Sequence, residues 1–375
     1  MFGAAGSLGG IGMISRRQLL KTAAAGFSSF TLSSCGWTLA KVQTDRAIAG
    51  ASNELHVYTW ANYIDTELVK DFTKKTGIKV IFDIYDSNET MLASFQAGKA
   101  KVYSVIYPSD YKVSQMQQLG YLTELDHTRL EGLNYLSPRF QQLVHDPGNR
   151  YSVPICWGTT GLIYNSEKIS DAPTDWRYLW QNKEKLVRRF TLMSDVREVF
   201  GATLKSLGYS YNSTNPDEIK KAYDRLMELK SSIATFATDT WRDQIIAGDL
   251  LLAMVYSSDA MLAIRDNPSL KYVMPESGTS LWSDTMVIPK TAPNPDAAYA
   301  WIDFMLQPKV AAKVTERLLF ATPNQAAYKE LPEKLRNNTT MFPPQSAIDQ
   351  SESIAPLNRG TLETYERYWT KLTSS

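Results

Sequence analysis

From residue 55 onward, short apolar runs alternate with longer stretches in which apolar residues recur every three or four positions. Residues 55–59, LHVYT, read as a strand. In 66–76, Leu68, Val69 and Phe72 fall at helical spacing, and Gly77 marks the stop. The continuous apolar run IKVIFDIY (78–85) predicts a second strand. SNETMLASFQAG (87–98) predicts a helix with a Ser/Asn start and a Gly end. VYSVIY (102–107) predicts a third strand, and SDYKVSQMQQLG (109–120) a helix from Ser109 to Gly120. Such alternation implies a parallel sheet covered by helices.

The apolar segment VPICWGTTGLIYN (153–165) has small residues at its middle and predicts a strand passing between two lobes. A second α/β unit follows. RFTLM (189–193) is a strand and SDVREVFGATLKSLG (194–208) a helix. Residues 215–230 form an amphipathic helix with Ile219, Ala222, Leu226 and Leu229 on one stripe. DLLLAMVYSSDAMLAI (249–264) repeats strand then helix, and LWSDTMVIP (281–289) is a short strand crossing back to the first lobe. Residues 296–318 are helical with an interruption at Pro308, and 361–372 form a terminal helix with an aromatic face.

At 375 residues the chain is long enough for two lobes. Net charge is +1, but the first 35 residues hold Arg16, Arg17 and Lys21 and no acid. Without them 37 basic residues face 39 acidic ones, which leaves no electrostatic footprint for nucleic acid. There is no CxxC pair, HExxH or P-loop, and His56, His127 and His145 are scattered, so neither cofactor nor metal is expected. Residues 1–35 read differently from the rest. Paired Arg precedes a modest apolar run too short and polar to span a bilayer, as in a twin-arginine export signal. The run ends in Leu32-Ser-Ser-Cys35, which resembles a lipobox, so Cys35 is a candidate lipidation site. Residues 36–53 show no sustained period and read as a tether.

Ligands of open α/β sheets collect beyond the carboxyl ends of strands. Trp60 and Tyr63 follow the first strand; Ser109, Asp110 and Tyr111 follow the third. Asp195 and Glu198 follow 189–193, Tyr256 and Asp259 follow 250–255, and Trp282 and Asp284 flank the last strand. Core packing accounts for two aromatics at one strand end, and acids in a first helical turn are ordinary helix chemistry. Recurrence at five strand ends exceeds both explanations. Helix N-termini favour an anion, but the residues near them are mainly acids, with Lys112 and Arg197 the exceptions, so the carboxylates set the sign. Aromatic faces attract cations and pack on methylene chains, and carboxylates accept charge-assisted bonds from ammonium groups. A linear polyamine has that chemistry. Carboxylates with Trp platforms also suit sugars, so an exported glycoside hydrolase stays open, as does another cationic or sugar solute.

The segments YTWANY, TKKTGIKVIFDIYDSNETM, YPSDY, YSVPICWGTTGLIYN, SDVREVFGATLKSLGY, LWSDTMVIP and ATPN resemble the spermidine/putrescine-binding proteins of bacterial ABC transporters, within the type 2 periplasmic-binding-protein superfamily. The resemblance implies a two-lobed α/β fold, each lobe a mixed, mostly parallel sheet flanked by helices. It places 54–158 and 284–327 in the first lobe and 159–283 and 328–375 in the second. It implies a polyamine between closing lobes, ABC permease subunits as partners, and a periplasmic protein held to the membrane at Cys35. Trp60 and Tyr63 would line the amine, Ser109 and Tyr111 add contacts, Asp195 and Glu198 bind one end, Trp282 stack on the chain and Asp284 bind an inner or distal amine. Thr238 falls at a polar contact. The departures are Asn62 where an acid is common, Tyr256 for a usual Trp, Phe320 for a usual Tyr, and Ala355 near an expected Gln. Asp110, Asp239 and Asp259 are the residues placed to compensate.

Overall fold

The computed structural model describes residues 53–98 and 101–374, all within one compact unit that runs from Ile48 to Ser375. The leader over 1–35 with Cys35, and the tether up to residue 52, lie outside the described residues. Among the described residues no helix is long and apolar enough to cross a membrane.

The strands are β1 (Glu54–Trp60), β2 (Lys79–Tyr85), β3 (Val105–Ile106), β4 (Gln142–Leu143), β5 (Asp146–Pro147), β6 (Ser152–Asn165), β7 (Phe190–Leu192), β8 (Ile233–Phe236), β9 (Leu252–Tyr256), β10 (Leu270–Val273) and β11 (Leu281–Val287). They join in the order β2-β1-β3-β11-β6-β9-β7-β8, with β10 also on β6 and β4–β5 a separate hairpin. The long strand β6 makes this one sheet of two halves. Its first half pairs antiparallel with β11 from Ser152 to Thr159, and its second half pairs with β9 from Thr160 to Tyr164. β1 runs parallel to β2 and β3, and β7 parallel to β8 and β9. Each parallel set is covered by helices, as the alternation demands.

Among the described residues the two largest of five hydrophobic clusters lie one in each half. The first gathers Leu55, Val57, Phe72, Met286, Trp301 and Ile302; the second gathers Phe190, Phe200, Leu204, Leu226, Met254 and Tyr365. Helix Thr66–Thr76 presents Leu68 and Phe72 to the first core, begins at Asp65, whose carboxylate accepts the N–H groups of Glu67 and Leu68, and ends at Gly77. Helix Pro216–Met227 buries Ile219, Ala222 and Leu226 as its stripe requires. Pro308 starts a new helix, Pro308–Leu318, where Pro is tolerated because its missing N–H has no intrahelical partner.

Some expectations need correcting. VYSVIY pairs only at Val105 and Ile106, and Tyr103 turns instead to stack on Tyr58 at 4.4 Å. The strand expected at 78–85 forms as β2 at the sheet edge, with Ile84 55% exposed. Residues 328–348, assigned with the second lobe, pack on the first: Leu331 joins Ala311 and Ala312, and Met341 enters the first core. The chain rejoins the second half at Glu352, which accepts from Ser210, the Tyr211 amide and Lys205.

Candidate functional site

β6, β11, β1 and the helix beginning at Asp110 converge where the two halves meet. A register shift falls between Asp284 and Thr285, where β11 passes Ile155 of β6. Such bulges re-aim side chains beside functional sites. Asp284 here is buried, and both its oxygens are engaged. Ser109 Oγ donates to Oδ1 at 2.6 Å, and the Tyr63 hydroxyl donates to Oδ2. Cys156 Sγ lies 3.1 Å from that hydroxyl. The phenolic proton goes to Asp284, so the thiol is the donor to Tyr63.

Ser109 is informative. It is the N-cap of helix Asp110–Gln118, a position where a serine hydroxyl normally accepts a helix N–H. Here it makes no such bond. Its hydroxyl is turned to Asp284 and in turn accepts from Asn88 Nδ2 at 3.0 Å, which also donates to Tyr111 Oη at 3.1 Å. Asp110 takes over the helix end, accepting its own neighbour's amide, Tyr111 N, at 2.7 Å. A capping group withheld from its helix marks the carboxylate it serves.

The facing wall belongs to helix Val196–Ser206. Asp195 caps it, accepting from Arg197 N at 2.8 Å and Glu198 N at 3.1 Å. Glu198 is 1% exposed and sits one layer deeper, accepting from Tyr211 Oη at 2.6 Å and Ser280 Oγ at 2.9 Å. Arg197 turns away, donating to Ala355 O and Asn212 Oδ1. Lys112 is tied to Glu89 at 2.9 Å.

Burial raises the carboxyl groups of Asp284 and Asp195 above the usual range, against the hydrogen bonds that lower them. Burial pushes Asp110 up to about 8, with the charges of Asp284 and Glu198 adding to it, and Glu198 up to about 7, with Asp195 adding. Acids from both halves thus contribute to these shifts, Glu198 to Asp110 and Glu89 to Asp195, with the Arg197 charge partly offsetting the latter.

Aromatic rings fill the space between. Trp282 meets Tyr256 edge-on at 5.5 Å and Phe320 at 6.4 Å, and Phe320 stacks on Tyr63 at 4.8 Å. Trp60 is half-buried at the end of β1; its Nε1 donates to Tyr107 O at 2.9 Å and its ring leans on Tyr85. The Asn62 side chain lies outside what the structure describes. Thr238 bonds Ser194 on the second half. Asp259, half-buried, lies by Asp239 and Arg242 and is pushed up to about 6 by burial and by Asp239. Asp239 is exposed. No hydrogen bond ties Asp239 or Asp259 to the acids around Asp284 among the described residues. Sequence reasoning missed Cys156, Asn88, Tyr211 and Ser280 as site-building residues. Asn88 lay in the SNET segment, which read as a helix start, and Cys156 in the crossing strand, which read as the passage between lobes.

A family model described as bacterial extracellular solute-binding protein matches residues 67–343. The spermidine/putrescine-binding periplasmic protein of Salmonella typhimurium is 36% identical over 327 residues, covering 87% of this chain and 93% of that one. The spermidine/putrescine ABC transporter substrate-binding protein PotD of Streptococcus pneumoniae aligns in structure with a TM-score of 0.79 at 34% identity, over 86% of this chain and 99% of that one. The TpPotD lipoprotein of Treponema pallidum aligns with a TM-score of 0.78 at 25% identity, over 86% of this chain and 100% of that one. The two-lobed architecture expected from the segment resemblance is the fold of these structures.

Proposed function

This chain belongs to the bacterial extracellular solute-binding protein family, and from that premise we propose that it captures a polyamine, spermidine or putrescine, between its lobes and delivers it to an ABC permease. It is a binding protein of a transport system and not an enzyme, so the glycoside-hydrolase alternative falls. The observation that carries the ligand class is the Asp284 station. A buried carboxylate is pre-oriented by Ser109 and Tyr63 and lies among the rings of Trp282, Tyr256 and Phe320, while Arg197 and Lys112 direct their hydrogen bonds elsewhere. Leaving acids unpaired in a dry site is costly. A ligand with ammonium groups along an apolar chain supplies both the missing charge and a surface for the rings.

Capture follows from the lobes. The amine first meets one wall, and closure brings the other, so the ligand favours the closed state by its contacts with both. Asp284, Tyr63, Ser109 and Tyr111 act from the first lobe, with Asp195, Glu198 and Tyr256 from the second; Trp282 and Phe320 form the wall at the junction. We place that junction on β6 near residues 158–160. Trp60 and Thr238 lie at the outer parts of these walls, and Asn62 is assigned to the same end as Phe320. Asp110 is a buried neighbour of Asp284 rather than a direct contact.

The protein works outside the cytoplasm, as its family does. We assign residues 1–35 to a twin-arginine-type signal and Cys35 to lipidation. The leader sequence supports this, and the Treponema relative is a lipoprotein. Cys35→Ala should abolish acyl incorporation in cells, and unchanged incorporation would remove the anchor.

Calorimetry of the full-length protein with putrescine, spermidine and spermine tests the main reading. Micromolar or tighter binding to at least one supports it. No heat with any of the three, from folded protein free of carried-over ligand, overturns it.

A further inference from the structure

We propose that Gly158 is a positioning residue for amine capture, its missing side chain being the seat of the Trp282 indole. The inference rests on the reading of Trp282 as a wall of the polyamine site. In the antiparallel pairing of β6 with β11, Gly158 stands directly opposite Trp282. A Cβ at 158 would lie 2.2 Å from Trp282 Cζ2 and 2.8 Å from Cε2. Carbon atoms prefer separations of about 3.5–4.0 Å, so no side chain fits without moving the ring. The same Cβ would lie 2.7 Å from Ser257 Oγ. That hydroxyl accepts from Thr159 N at 3.1 Å and is not free to swing aside. Elements of both halves therefore close on one bare Cα. Gly158 sits inside a regular strand, so the glycine supplies space and not backbone freedom.

Nothing polar tethers the indole. Its Nε1 is buried with no hydrogen-bond partner among the described residues. Tyr256 and Phe320 touch it only edge-on, at 5.5 and 6.4 Å between ring centres. Rings held by edges alone can slide, whereas the close face against Gly158 sets how far the indole stands above the strand. An aromatic ring laid over a glycine of the neighbouring strand is a known device for fixing strand register. In this protein the same contact fixes the height of one wall of the cleft.

The test is a double-mutant cycle read by calorimetry with whichever of spermidine or putrescine the parent binds more tightly. Gly158→Ala should weaken binding at least tenfold in the parent and less than twofold in a Trp282→Ala background, because the seat matters only when the indole occupies it. Equal losses in the two backgrounds, or parent-like affinity for Gly158→Ala, would overturn the proposal. Should Gly158→Ala fail to fold, it is placed in a Ser257→Ala background, which removes the Oγ contact, and Trp282→Phe is then added, since the smaller ring lacks the Cζ2 edge. Recovery of a cooperative melt supports the seat, and continued failure overturns it. A ligand-free readout separates this inference from the polyamine reading. In 5-fluorotryptophan-labelled protein the Trp282 resonance, assigned by its loss in Trp282→Phe, should move by more than a linewidth in Gly158→Ala. An unmoved resonance sinks the seat even if polyamines bind. A moved one supports it even if none of the three amines does.

Discussion

Asp284 and Asp195, which we assign to one polyamine site, are held in opposite ways. Asp195 depends on its own neighbours, the amides two and three residues on. Asp284 depends on hydroxyls 175 and 221 residues away in sequence. A cap is built when its helix forms, and the helix N-terminus answers part of its charge. The Asp284 station exists only once β1, β11 and the helix at Asp110 have come together, and nothing but hydroxyl dipoles answers its charge until a ligand arrives. Under the proposed function the local acid would serve structure and ligand together, and the assembled acid the ligand first. The expected consequences differ in size and in kind.

The largest effect should come from Asp284. Asp284→Ala strands an ammonium group in a desolvated site, and affinity for the amine should fall by about 2–5 kcal/mol. Unfolding stability should change much less, because the same substitution removes a buried charge. Calorimetry beside thermal melts checks both halves. A variant that binds like the parent would mean that the comparison has the wrong acid.

Next comes pH, which acts on the layer behind both stations. Glu198 and Asp110 have folded-state values of about 7 and about 8, raised chiefly by burial above their ordinary carboxylate values. The folded state holds protons that the unfolded chain releases. The stability tied to these groups is therefore complete below about pH 4 and is lost as pH rises through 7 and 8. Ligand-free protein should melt several degrees lower at pH 8 than at pH 5.5, on the order expected for a domain of this size. Binding should run the other way, because Glu198 and Asp110 add negative charge behind both stations as they ionise. Stabilisation by spermidine should thus grow from pH 5.5 to 8. Asp110→Asn should flatten the ligand-free slope. Parallel slopes with and without the amine would show that these acids do not answer to the ligand.

Asp195 sharpens the contrast because two substitutions separate its tasks. Asparagine keeps the cap and drops the charge, so Asp195→Asn should lose affinity at nearly unchanged melting temperature. Asp195→Ala should lose affinity and, in addition, about 0.5–2 kcal/mol of stability. Identical melts for the two variants would show that the cap is not what holds this residue.

The same division explains what could be read before folding. Asp195 and its helix were legible because SDVREVF carries the cap and the apolar stripe within one turn of each other. The crossing strand was legible from its unbroken apolar run, and the family from several long segments. What makes Asp284 a station was not legible. The Cys156–Tyr63–Asp284–Ser109 chain joins four distant segments, and a bulge at Ile155 leaves no mark in a pattern of apolar residues. Ser109 read as a helix start and a candidate ligand contact, and only the structure shows its hydroxyl turned to Asp284. β8 and β10 were missed because four residues carry too little period to register. The apolar run of β2 marked a strand but not its place, and an edge position leaves Ile84 exposed; strand order is a tertiary property. Residues 328–348 carry short helices whose local pattern says nothing of which core they cover.

The smallest effect tests whether the distant hydroxyls matter once the ligand is in place. Tyr63→Phe removes the donor to Asp284 Oδ2 and the acceptor of the Cys156 thiol while keeping the ring on Phe320. Without ligand, a buried carboxylate loses one partner, and stability should fall by about 0.5–1.5 kcal/mol. The bound amine brings its own N–H donors to the vacated oxygen, so affinity should fall only about threefold. A loss as deep as that of Asp284→Ala would mean that Tyr63 and Asp284 act as one unit. The assembled station would then be fixed by its hydroxyls even when occupied, and the distinction between an acid held for structure and an acid held for ligand would dissolve.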